Sequence, residues 1–168
     1  MLAGMSAQLP LPDDSTASQA LAEEYAAARE RGGSVMAILR AMGPRAELVR
    51  AFLALADAAL YGPAALGRRE REVLALATSQ ANEAGYSAAI HAALLGELGA
   101  EPGARDRVLA DFARRLTLAP AEAAEAVAEL RAHLSPDEVY DAVAVVGLLN
   151  FANRAALATG ITDADDLG

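Results

Sequence analysis

Two side chains in this sequence are suited to moving a proton, Glu72 and His91. An imidazole acts as acid or base near neutral pH, and a carboxylate can orient it. Ala84, Ser87 and His91 follow the spacing i, i+3, i+7, which sets them along one stripe of a helix. Ala84 and Ser87 fall in its first turn or two, where unpaired backbone N–H groups favour negative charge. Ser87, one turn before His91, can hydrogen-bond to it or to a ligand, but a Ser–His nucleophile lacks an identifiable acid partner or oxyanion site. Each residue also has a plain structural reading: His91 as a helix histidine with a local partner, Glu72 as a first-turn glutamate favoured by the helix dipole, and Ala84 and Ser87 as small fillers.

Other chemistries are closed. The sequence has no cysteine, so it has no thiolate nucleophile, disulfide or Cys-based metal site. His133, the second histidine, lies far from His91 and just before a helix start. No metal site is expected, and with no GxGxxG fingerprint or other phosphate-cradling loop, no cofactor is expected either. The formal net charge of -9 and the lack of a basic stripe argue against nucleic-acid partners. The run Arg68-Arg-Glu-Arg-Glu72 reads as a solvated helix start with local ion pairs, Glu72 excepted.

The elements that position these residues are helices. Hydrophobic residues make up 54% of the 168 residues but aromatics only 4%, so alanine carries much of the packing. Residues 1–14, with Pro10 and Pro12, read as an arm. A first helix is capped by Asp14 or Ser15 and ends at Gly32-Gly33. Ser34 caps a short helix to Met42, and Pro44 opens one that runs to Tyr61. A helix after Gly67, with little polar face, is central. Asn82 caps the next, which reaches about Gly99. Further helices span about 104–116 and 120–132. Ser135-Pro136-Asp137-Glu138 is a capping box opening a mostly apolar helix that Gly160 stops. The apolar run from Ala142 to Leu149 is too short to span a bilayer, and the first residues do not read as a signal peptide, so a cytoplasmic location without membrane partners is expected. The segments ending in Asn82 and Asn153 show a weak internal similarity.

The stretch from Glu72 to His91 resembles the motif of the alkylhydroperoxidase D (AhpD)-like, carboxymuconolactone decarboxylase superfamily, whose AhpD-type pattern is E-x11-C-x2-C-x3-H. The spacing is intact here, with Ala84 and Ser87 at the two cysteine positions. Gly67-Arg-Arg-Glu-Arg-Glu-Val-Leu-Ala-Leu-Ala77, Ser79-Gln-Ala-Asn82, Asn150-Phe-Ala-Asn-Arg154 and Pro44-Arg-Ala-Glu-Leu-Val-Arg-Ala-Phe52 resemble its peroxidase-related branch. The resemblance covers roughly residues 10–162. It implies an all-α, AhpD-like domain of about seven or eight helices over 15–162, followed by an acidic tail at 163–168. It also implies assembly as a homo-oligomer, a trimer or hexamer.

The family's alkylhydroperoxidase activity rests on a cysteine pair at a helix N-terminus that cycles between dithiol and disulfide, with Glu and His relaying protons. Alanine cannot ionise and a serine hydroxyl does not reduce a peroxide, so thiol peroxidase activity is not expected. The decarboxylase branch does not depend on a cysteine pair. By resemblance to it, the catalytic set is His91 and Glu72, with Ser87 beside them, acting on a small organic acid or lactone. The alternatives are a catalytically inactive ligand-binding or structural oligomer, and an engineered Cys-to-Ala/Ser variant of a peroxidase-related enzyme.

Overall fold

The Ser135–Glu138 box forms as its spacing requires. Glu138 accepts the Ser135 N–H at 2.7 Å, and Ser135 Oγ accepts the Glu138 N–H at 3.4 Å. From this cap the last helix runs through Pro136–Thr159 and ends at Gly160, whose φ of 74° is the left-handed conformation that glycine adopts without strain. The computed structural model describes residues 9, 11–32, 36–99 and 103–161. Most of the arm, the Gly33 stop, the Ser34 cap, the Glu101-Pro102 loop and the acidic tail lie outside them.

Eight α-helices follow one another: α1 Gln19–Gly32, α2 Ala37–Arg40, α3 Ala46–Ala56, α4 Arg68–Ala81, α5 Gly85–Glu97, α6 Ala104–Leu118, α7 Ala123–Leu130 and α8 Pro136–Thr159. A π-helical turn, Asp57–Tyr61, follows α3, and a 3-10 turn, Pro120–Glu122, precedes α7. No strand occurs among the described residues. The fold is all-α, as expected.

The chain divides into two compact units. One takes the described residues up to Leu55 and those from Arg154 onward; the other is Ala56–Asn153. In the first, Leu21, Tyr25, Leu39 and Val49 are fully buried, and Arg50 Nε donates to Glu24 at 2.7 Å, joining α3 to α1. In the second, α4 packs on both α5 and α6, which makes it the central helix its apolar stretch predicts. Val73, Leu74, Ala75, Thr78 and Ser79 of α4 are buried.

Four helix starts differ from the expected ones. Ser18, not Asp14 or Ser15, caps α1: its hydroxyl accepts the Leu21 N–H at 3.3 Å. Asp13 instead folds a separate turn, its Oδ1 accepting the N–H groups of Ser15 and Thr16 at 2.9 Å each. Pro44 stands outside α3, because Arg45 supplies the first accepting carbonyl, to Val49 N–H at 3.1 Å. Pro120 opens the 3-10 turn rather than α7 itself. Asn82 closes α4 and does not open α5. Glu83 adopts φ 57°, and Ala84 N–H reaches back to Ser79 O at 2.9 Å while Glu83 N–H reaches Gln80 O at 3.0 Å. This pair of bonds is a Schellman motif, with a glutamate where glycine is usual.

The apolar run from Ala142 to Leu149 is part of a longer element than its own length suggests. α8 has 24 residues and is apolar enough to cross a bilayer by length and composition, with half of its most apolar window buried. Ala142, Val145, Val146, Leu148 and Leu149 are buried, as befits a core helix. The two similar segments, which end in Asn82 and Asn153, are hydrogen-bonded to each other. Asn82 Nδ2 donates to Asn150 Oδ1 at 3.0 Å, and Asn153 Nδ2 donates to Ser79 Oγ at 3.3 Å, so the two segments pair with each other.

Candidate functional site

Glu72 lies in the second turn of α4 with no exposed surface. An ionised carboxylate is expensive to bury without partners, and it has two. Its Oε2 lies 2.7 Å from His91 Nδ1 on α5, and its Oε1 lies 2.5 Å from Arg68 Nη2, one helical turn earlier. The Arg68 contact is a close ion pair rather than an aligned hydrogen bond, since Oε1 has no partner in hydrogen-bond geometry. His91 is also buried, 6% exposed. The two residues singled out in the sequence are thus brought into direct contact across the α4–α5 packing.

An ionised carboxylate can only accept, and on that ground the roles of the ring nitrogens are assigned. With the carboxylate as acceptor, Nδ1 carries the hydrogen that faces Glu72, and Nε2 is the nitrogen left for other chemistry. Ser87 is buried in the first turn of α5, one turn before His91, and Ala84 occupies the position just before that helix. Ser87 shares a stripe of α5 with His91, whose hydrogen bond goes to Glu72. Tyr86, next to Ser87 in the chain, is buried.

The charged start of α4 is more than a solvated face. Glu70 accepts the Gly67 N–H at 2.9 Å and also pairs with Arg105 of α6, which in turn pairs with Glu138 of α8. Arg69 pairs with Asp106 at 2.6 Å. Arg71 is 5% exposed and donates through Nη1 to Gly62 O at 2.8 Å; burial, then the neighbouring Arg68, pushes its guanidinium below the ordinary range. These partners lie on other elements, so the run fastens three helices rather than forming the local pairs expected of it, and the i, i+4 pair it does hold is with Glu72, the residue set apart from that expectation.

Arg68 is the site residue that sequence reasoning passed over. Its guanidinium carbon sits 4.5 Å from the centre of the Tyr61 ring, a cation–π contact, and Nη1 reaches Leu60 O at 3.4 Å. Tyr61 and Leu60 are held there by the π turn, closed by Gly62 N–H on Asp57 O at 2.6 Å. A Cβ on Gly62 would fall 2.6 Å from that same oxygen, so only glycine fits. The signal available in the sequence was the i, i+4 spacing of Arg68 and Glu72.

Residues 46–130 match the carboxymuconolactone decarboxylase family. No curated protein matches the chain. Among solved structures, the chain is similar to an uncharacterized peroxidase-related protein from Silicibacter sp. TM1040, with 27% identity and a TM-score of 0.77 over 92% of this chain and 89% of that one. It is similar to the alkylhydroperoxidase AhpD core of an uncharacterized peroxidase-related protein from Ralstonia eutropha JMP134, with 25% identity and a TM-score of 0.77 over 96% and 95%. A cysteine-to-alanine variant of the debrominase Bmp8, in complex with 2,3,4-tribromopyrrole, shares the fold at 18% identity and a TM-score of 0.77 over 95% and 93%.

Proposed function

Because the chain belongs to the carboxymuconolactone decarboxylase family, we propose that it is a cysteine-independent enzyme that transfers a proton on a small organic acid or lactone. The observation that carries this reading is the contact of Glu72 Oε2 with His91 Nδ1 at 2.7 Å in a buried setting. His91 Nε2 takes a proton from substrate carbon next to a carboxylate or lactone carbonyl. The imidazolium that forms is stabilised by Glu72, and the same nitrogen returns the proton to product. Arg68 holds the other Glu72 oxygen, which keeps the carboxylate aimed at Nδ1. Ser87, one turn from the imidazole, supplies a hydroxyl for a substrate oxygen.

The absence of any thiol supports acid–base over peroxide chemistry. The test is deuterium incorporation from D2O into a panel of small carboxylic acids and lactones, read by mass spectrometry. Wild-type protein is expected to label at least one of them, and His91→Ala to slow that exchange by roughly 10²–10⁴-fold. No labelling of any member by wild type, or equal labelling by His91→Ala, would contradict the reading and favour a non-catalytic ligand-binding protein.

The reading includes assembly as a homo-oligomer. Supporting it, Tyr140, Val143 and Phe151 of α8 are exposed with the spacing of a single helix stripe, and Tyr140 is 75% exposed. A monomeric mass in dilute light scattering would contradict assembly.

A further inference from the structure

One face of α8 is exposed along its length. Tyr140, Val143, Gly147, Phe151 and Arg154 follow at three- and four-residue steps, which sets them on one stripe, and all five are exposed. A stripe with an aliphatic and two aromatic side chains marks a contact surface rather than a face left to water. The end of α6 widens it. Asn150 Nδ2 donates to Thr117 Oγ1 at 3.1 Å, and Leu118, next in the chain, is 60% exposed.

The charges of α8 choose the direction of a partner. Its first half carries Asp137, Glu138 and Asp141, and its second half carries a single charged residue, Arg154. A second copy laid parallel and in register sets carboxylates against carboxylates. A second copy laid antiparallel brings the basic end of each helix onto the acidic end of the other, and the two helix dipoles oppose.

Gly147 lies midway along α8, and a Cβ built on it meets nothing within 4 Å. The space beside it is therefore not filled by this chain. With no side chain there, two backbones can approach most closely at this point. Around a two-fold axis through Gly147, Val143 meets Phe151 of the second copy. Tyr140 meets Arg154 of the second copy, a ring and a guanidinium suited to a cation–π contact.

We infer that α8 is a homodimer interface in which two copies of the chain cross antiparallel at Gly147 on a two-fold axis. This rests on the assembly reading above and narrows it. A contact that is the same patch on both copies builds dimers or hexamers, whereas a trimer has no two-fold axis.

The experiment exploits the lack of cysteine. Gly147→Cys places the only thiol of the chain on the axis. Helices packed about 8–10 Å apart bring facing Cα atoms within disulfide reach. Mild oxidation with copper phenanthroline is expected to convert most of this variant to a covalent dimer on a denaturing gel. Arg107→Cys, at an exposed position of α6, is expected to stay single. By analytical ultracentrifugation, wild type is expected at an even multiple of the chain mass. Val143→Asp, at an exposed position, is expected to weaken the contact about tenfold or more with an unchanged circular dichroism spectrum. A trimeric mass, an oligomer without the Gly147→Cys cross-link, equal cross-linking of Arg107→Cys, or an undiminished association of Val143→Asp overturns this inference and leaves assembly standing. A monomeric mass overturns both and leaves the stripe to a different partner.

Discussion

Arg68 holds the outer oxygen of Glu72 at 2.5 Å while about a third of its own side chain remains exposed. The buried carboxylate is therefore neutralised from the solvent side by a residue on its own helix. On the inner side it faces His91, a residue on the next helix.

Arg68→Gln removes that cation and leaves the carboxylate with the imidazole alone. Breaking a fully buried ion pair costs roughly 3–5 kcal/mol. Because Arg68 still reaches water, we expect about 1–3 kcal/mol, read as a lower urea midpoint. An unchanged midpoint would mean that the pair contributes nothing to the fold.

Glu72→Gln and Glu72→Ala separate charge from packing. Glutamine keeps the volume and one acceptor for Nδ1–H, and its stability loss should stay near 1 kcal/mol. Alanine opens a void at a site with no exposed surface and strands the imidazole N–H, for about 2–4 kcal/mol in total. Equal losses for the two variants would contradict a hydrogen-bonded role for Glu72.

Gly62→Ala forces a Cβ to within 2.6 Å of Asp57 O and opens the π turn. We expect about 1–3 kcal/mol of destabilisation and displacement of Tyr61 from the Arg68 guanidinium. Thermal melting reads the first and tyrosine fluorescence the second; if neither changes, the turn does not depend on glycine.

Acid should destabilise the ion-paired helix starts. At Asp106 burial raises the carboxyl pKa, but the Gly103 N–H and Arg69 together outweigh it and hold it below the ordinary aspartate value. At Glu138 the Ser135 N–H leads, opposed by burial and joined by the Ser135 hydroxyl and Arg105, and the result lies below 4.5. A carboxyl held low in the folded state contributes stability that is fully present above its unfolded value. That stability is lost as pH falls through the folded value. Urea midpoints should thus stay level from pH 7 to about 5 and fall below about pH 4, with part of the fall absent in Asp106→Asn with Glu138→Gln. A fall of the same size in the double variant would contradict this assignment.

Much of this was legible before the fold was known, for identifiable reasons. Ser135 and Glu138 form their box because both partners lie within four residues, where local chemistry suffices. The Glu72–His91 contact was legible through motif spacing, since two packed helices fix the distance between one turn of each. Asn82 was misassigned because an amide before a short linker caps either helix equally well in sequence. In the fold its Nδ2 donates back to Thr78 O and across to Asn150, 68 residues away, both of which tie it to the end of α4. The arginine and glutamate run misled for the same reason: Arg105, Asp106 and Glu138 are distant partners that no local pattern announces. The π turn was hidden inside the helix expected from Pro44 to Tyr61, because no local pattern sets its last turn apart.

The most direct measurement of the central claim is the imidazole pattern of His91 in a long-range 1H–15N spectrum, assigned by comparison with His91→Ala. The account predicts a hydrogen on Nδ1, facing Glu72, with the resonance displaced in Glu72→Gln. A neutral ring protonated on Nε2 with a bare Nδ1, unaffected by Glu72→Gln, would contradict it.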